Sequence, residues 1–210
     1  MIVKLIMNEL IKNSIKWSIS IAVITFVLAA IFSIASNGVL IGVSWTYGLL
    51  VVLFIVLIGI FFDMIGIAAA AANETPFHSM ASKKIYGAKH SIRIVRNADR
   101  VASFCNDVIG DISGIISGTA SALVVIQIVK SAGLSNASPA EYAINVGLTS
   151  LIAALTVGGK ALGKSLAISH SRDIIFRVGK VMQFLEERMH LTIIKDNKKK
   201  KPKKKNKKRK

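Results

Sequence analysis

The 210 residues carry a net charge of +17, yet 52% of them are hydrophobic. Eleven of the basic residues fall in the last thirteen positions, 198–210, which leaves +6 for the rest of the chain. Uncharged apolar runs of about 18 or more residues can cross a bilayer and are rare in soluble domains, and the single cysteine, Cys105, excludes an internal disulfide framework or a Cys-rich metal site.

In chain order, residues 1–16 form a short N-terminus with Lys4, Lys12 and Lys16. Residues 17–36 follow without a charge and predict a first transmembrane helix. Basic-then-apolar order also describes a signal peptide. This core is longer than a usual signal core and more spans follow it, so it reads as retained. A second span is predicted over 47–72, broken only by Asp63, and a third over 101–129, carrying Asp107 and Asp111. A fourth, over 143–168, contains Lys160. The fold class expected is all-α: a polytopic membrane protein with about four transmembrane helices plus cytoplasmic amphipathic helices.

Loop charge sets the expected orientation. The stretch 73–100 holds Lys83, Lys84, Lys89, Arg93, Arg96 and Arg100 against Glu74 and Asp99, whereas the other two loops contain one basic residue, Lys130. Basic loops stay cytoplasmic, which predicts a cell-membrane protein with both termini inside. Within that belt, Ile85, Ala88, Ile92, Val95 and Ala102 recur at helical spacing among cations. This is the pattern of an amphipathic helix at a membrane surface, with Asn97-Ala98-Asp99 ending one helix and capping the next. Residues 171–196 repeat the pattern with Ile174, Val178, Val181, Met182, Leu185 and Met189, an interfacial or partner-binding helix. The low-complexity segment 197–210 is expected to be disordered and to cling to anionic lipid at about 1 kcal/mol per cation. Nucleic acid is the less expected partner.

Four polar residues stand out inside the spans. An Asp or Lys at a helix centre costs about 2.5–3.5 kcal/mol, so such residues pair, face water or bind an ion. Asp107 lies near the cytoplasmic end and can meet headgroups or water, and Lys160 can snorkel toward its own end. Asp63 and Asp111 are deeper and point to an ion pair or a functional site. The third span also repeats Gly110, Gly114 and Gly118, with Ser113, Ser117 and Ser121 beside them. Glycine permits close helix packing, and serine offers hydroxyls to a neighbour or a cation. In the fourth span, Gly158, Gly159 and Gly163 surround Lys160 and weaken the helix, as at the broken helices of transporter ion sites. The four histidines lack ligand spacing, and no phosphate loop, nucleophile elbow or hydrolase signature is present, so neither an enzyme nor a cofactor is expected.

Over 61–185 these pieces resemble the transmembrane domain of the CNNM (cyclin M) and CorB/CorC proteins, associated with magnesium transport or efflux. The resemblance rests on Phe61-Phe62-Asp63, the basic belt with Gly87-Ala88-Lys89 and Asn97-Ala98-Asp99-Arg100, Ile109-Gly110-Asp111, and 159–167 around Lys160 and Gly163. It implies a transmembrane unit over 47–170, a homodimer and bound Mg2+ as a possible ligand. The family's serine, asparagine and glutamate site positions become Asp63, Asp111 and Lys160 here, and its proline becomes Gly163. The three positions still sum to −1. Together the residues and the resemblance give a candidate cation site of Asp63, Asp111, Ser113 and Ser117, modulated by Lys160, with Gly110, Gly114 and Gly118 as packing positions. The span over 17–36 is extra to the family's usual core, and its cytoplasmic CBS-type nucleotide-binding domains are not expected. The competing expectation is a non-transporting scaffold or accessory subunit with an internal Asp–Lys pair and lipid-binding basic segments.

Overall fold

A computed structural model describes residues 2–133 and 138–189. The polybasic segment 197–210 and the end of the helix expected over 171–196 lie outside the described residues. Among the described residues, eight α-helices follow one another: α1 (Ile2–Ile41), α2 (Trp45–Ala71), α3 (Thr75–Ser82), α4 (Ala88–Arg96), α5 (Ala98–Ser103), α6 (Asp111–Ser131), α7 (Pro139–Ser169) and α8 (Ser171–Met189). Between α5 and α6 runs a π-helical segment, Phe104–Gly110.

Four stretches are long and apolar enough to cross a membrane: Ser14–Leu40, Trp45–Ala71, Ala98–Ser131 and Pro139–Ser169. At 1.5 Å per residue a 27-residue helix is about 40 Å long, more than the hydrocarbon core requires. Each predicted span coincides with one of these stretches, and three of the four stretches extend beyond the predicted limits at both ends. The helix holding the first span begins at Ile2, because nothing in the intervening residues breaks a helix. The fourth starts at Pro139, where Ser138 accepts a hydrogen bond from the Glu141 amide (3.2 Å) and proline opens the first turn. The third changes its winding at Phe104–Gly110, which periodicity does not reveal.

Two contacts fix which ends of the spans lie together. Arg100, at the end of the basic belt, stacks over the Trp17 ring at 5.2 Å. At the far end, the Gln127 amide donates to the Leu40 carbonyl at 2.9 Å. The N-terminal end of the first span and the belt therefore share one end of the bundle. α2 runs through the middle, packed against α6, α7 and the π segment. Leu40, Val52, Ala120 and Val124 fill the far end, while Val108, Ile112 and Ile116 of the third span meet Ile21 and Leu28 of α1.

At the belt end the expected surface helices differ from expectation. The belt forms α3, α4 and α5, and several of its apolar residues point inward: Phe77, Ile92 and Ile94 pack with Ala68, Ala69, Ala167 and Ile175. Of the stripe that suggested membrane contact, Ala88 and Ile92 are buried within the chain and Val95 packs against the same cluster, while Ile85 stays exposed. Asn97 does separate α4 from α5, and its side-chain amide donates back to the Arg93 carbonyl at 2.8 Å. α8 turns Ile175 and Gly179 inward, while Val181, expected on its apolar face, is 57% exposed.

Candidate functional site

The third span meets α2 through small residues. Gly59 and Gly66 on α2 lie on the same face as Asp63, three or four residues away on either side. A methyl group at Gly59 would sit 2.9 Å from Ser113 Cβ, and one at Gly66 would collide with the Asn106 side-chain oxygen. The two glycines therefore let the π segment and the start of α6 lie directly on α2, and Asp63 lies between them. α7 approaches from the other side in the same way. A methyl at Gly159 would collide with Ile60, and one at Gly163 would lie 2.8 Å from Met64 Cγ.

Lys160 rides on that seam. Its Nζ lies 3.9 Å from Asp63 Oδ1, with the side chains 28% and 15% exposed. The Cβ position of Gly110 is 3.5 Å from the same Nζ and 3.8 Å from the same carboxylate oxygen, so the pair rests against bare backbone of the third span. Asn106 adds an amide oxygen that is buried and has no hydrogen-bond partner. Ser113, next to Gly59, is 7% exposed. The seam thus strings a hydroxyl, a carboxylate and an amide oxygen along about 10 Å of α2, with Ser113 at Gly59, Asp63 in the middle beside the Lys160 ammonium, and Asn106 at Gly66. Oxygen donors of this kind suit a hard cation; the lysine supplies a positive charge already.

The remaining candidates are distributed differently. Asp111 is exposed and makes no ion pair among the described residues, and Asp107 is also exposed. Ser117 is buried and its hydroxyl donates to the Gly114 carbonyl at 3.0 Å; Ser121 does the same to Gly118 at 2.7 Å. Of the glycine stripe, only Gly110 packs within the chain, while Gly114 and Gly118 face open space. Their stripe turns away from α2 because α2 packs on the Asn106–Gly110–Ser113–Ser117 face. Among the described residues, no three His, Cys, Asp or Glu side chains cluster as metal ligands would. Asn106, Gly59 and Gly66 were not singled out in the sequence. Asn106 is the one amide in the first half of the third span, and that polarity was its only signal.

A second polar cluster ties the belt to α8. The His90 ring donates to Glu186 (2.5 Å), Arg93 reaches the same oxygen (3.2 Å), and Tyr86 donates to Glu187 (3.0 Å). The Gln183 side chain accepts from the Gly87 amide at 2.6 Å. The hydrogen bond from His90, with the nearby Arg93 charge, holds the Glu186 carboxyl below its ordinary range despite partial desolvation. Glu74 sits between His78 (2.7 Å) and Arg96 (2.6 Å); burial works against its ionisation, but these two partners outweigh it and lower its pKa.

Compared with protein-family models, curated proteins and solved structures, the chain shows no significant match.

Proposed function

We propose that the chain is a multi-pass membrane protein with both ends cytoplasmic, and that it moves a divalent cation such as Mg2+ across the cell membrane. In this reading it is a divergent relative of the CNNM/CorB proteins it resembles, and it works as a homodimer. The observation that carries the reading is that Ser113, Asp63 and Asn106 follow one another along a single seam between spans. Intramembrane carboxylates are costly and mark ion pathways, and π segments recur at functional sites. Lys160 then acts as a tethered counter-ion: it neutralises Asp63 at rest and must withdraw, by snorkelling along α7, before a hydrated cation can take its place. Asp111, exposed on the flank of the third span, would join the pathway only from a water-filled or intersubunit face.

The second reading is a non-transporting scaffold, and one observation favours it. Asp63 already has Lys160 within 3.9 Å, and a permanent pair would serve assembly rather than transport. Mg2+ flux into proteoliposomes separates the two. Transport predicts flux in the parent chain, its loss in Asp63→Asn, and a changed rate in Lys160→Glu. Asp111→Ala tests whether that carboxylate belongs to the path. Absence of flux in a folded, reconstituted preparation of every variant would establish the scaffold reading.

A further inference from the structure

The outward face of α8 is made of Asp173, Arg177, Lys180, Val181, Phe184 and Arg188, all exposed and spaced as one helical stripe. Val181 and Phe184 are 57% and 55% exposed, and Lys180 Nζ stands 4.4 Å above the Phe176 ring. The helix's other acids are used elsewhere, since Glu186 bonds to His90 and Arg93, and Glu187 to Tyr86.

Beside the stripe lies the turn between α3 and α4. There Lys84 takes a left-handed backbone (φ 55°) and Gly87 follows at φ 88°. The turn presents Lys83 and Lys84 together with Ile85 and Tyr86, which are 41% and 42% exposed. A Cβ at Gly87 would stand 2.7–2.9 Å from Lys180 atoms, so turn and stripe form one continuous surface. Five cations (Lys83, Lys84, Arg177, Lys180 and Arg188) outnumber the two exposed acids, Asp173 and the Tyr86-bonded Glu187.

We infer that this surface docks on an anionic bilayer. The lysines and arginines meet lipid phosphates, while Val181, Phe184 and Ile85 enter the headgroup layer. Interspersed apolar groups and cations distinguish a lipid-facing surface from a purely charged one. Proximity adds to this: only His170 separates α7 from α8. On the multi-pass reading, on which this inference rests, α8 therefore begins at the membrane surface. The buried side of the belt contacts α8, and the lipid meets what is left outside.

The test uses the full chain in nanodiscs of phosphatidylcholine, with or without phosphatidylglycerol. A nitroxide is placed at Phe184→Cys or, separately, at Leu162→Cys, a position 71% exposed on α7. Cys105 is buried, and its background labelling is measured on the parent chain. Accessibility to oxygen and to a water-soluble nickel chelate reports depth. The expected result is a Phe184 label that gains oxygen contact and loses nickel contact only in anionic nanodiscs. Substituting Lys84→Gln, Arg177→Gln and Lys180→Gln should reverse that gain, by about fivefold in the docked-to-free ratio per cation. A Phe184 label open to nickel in both lipids, beside an immersed Leu162 label, overturns the docking and leaves the surface to an acidic protein partner. Immersion regardless of lipid charge overturns the electrostatic basis. A Leu162 label open to nickel overturns the multi-pass reading and this inference with it.

Discussion

Lys160 Nζ and Asp63 Oδ1 stand 3.9 Å apart, close enough for charge to pair but too far for a direct hydrogen bond. The two residues belong to α7 and α2, and Gly159 and Gly163 of α7, lying against Ile60 and Met64, are what let those helices approach. Removing one partner should therefore cost more than removing both. Lys160→Met or Asp63→Asn alone strands a polar group or a charge among apolar spans. The expected loss for a stranded charge is about 2.5–3.5 kcal/mol, reduced by whatever water reaches the partly exposed side chains. The double variant should recover much of it. Thermal unfolding in detergent, run as a double-mutant cycle, measures the coupling; additive losses would show that the two charges do not interact.

Gly66→Val should disturb the site without touching any charge. A Cβ there overlaps the Asn106 side-chain oxygen and lies 3.2 Å from the Ala102 carbonyl, so the Asn106 side chain would have to swing aside and the third span shift slightly from α2. We expect a stability loss of about 1–3 kcal/mol, the usual cost of overpacking. Gly114→Val, at a position with nothing within 4 Å, should leave the monomer's stability almost unchanged. A large loss at Gly114 would instead reveal a contact made between copies of the chain.

The long apolar helices were legible in the sequence because uncharged runs of such length are rare outside membrane-spanning segments. Trp17, Asp63, Asp107 and Lys160 all sit in the spans or at the ends where the sequence placed them. The site was legible only in part. Asp63 and Lys160 were visible as costly charges, but which carboxylate faces the lysine depends on helix rotation, and a π segment shifts that rotation. Asp111 looked as deep as Asp63, yet it lies on an exposed flank. The belt misled for a related reason: an amphipathic stripe shows that an apolar face needs cover, and Ile92 finds its cover in Ile175 of a helix some eighty residues away.

Gly179→Val should separate α8 from the belt. The added side chain collides with Ser91 Oγ and with the Gly87 carbonyl 2.7 Å from the Cβ position. It would also disturb the bond from Ser91 Oγ to the Ile175 carbonyl. Limited proteolysis in detergent should then cut within 171–189 several-fold faster than in the parent, while the spans stay protected. Unchanged cleavage would mean α8 is held by other contacts.

Acid should loosen the same junction. The Glu186 pKa is lowered in the folded chain, so the docked state binds that proton more weakly than the detached state does. Its contribution to docking is complete above the ordinary glutamate value of about 4.5 and is lost as the pH falls through the depressed folded value. Hydrogen exchange of α8 amides, corrected for intrinsic rates, should accelerate over that range. Glu186→Gln should flatten the dependence, and an equally steep profile in that variant would assign the acid response to another group.

The way α7 is attached has a mechanical consequence. Only Gly163 and Ala167 of its 31 residues are buried. Among lipid tails, apolar area does not draw helices together. What fastens α7 along its length is close packing of Gly159 and Gly163 on Ile60 and Met64, the contact of Leu148 and Ile152 with the far-end cluster, and the charge of Lys160. Sliding or tilting this helix would therefore expose little new oily surface but would pull an ammonium from its carboxylate. Along that seam, displacement and charge separation are one coordinate, so an electric field or a competing cation at Asp63 would act on the helix as a force.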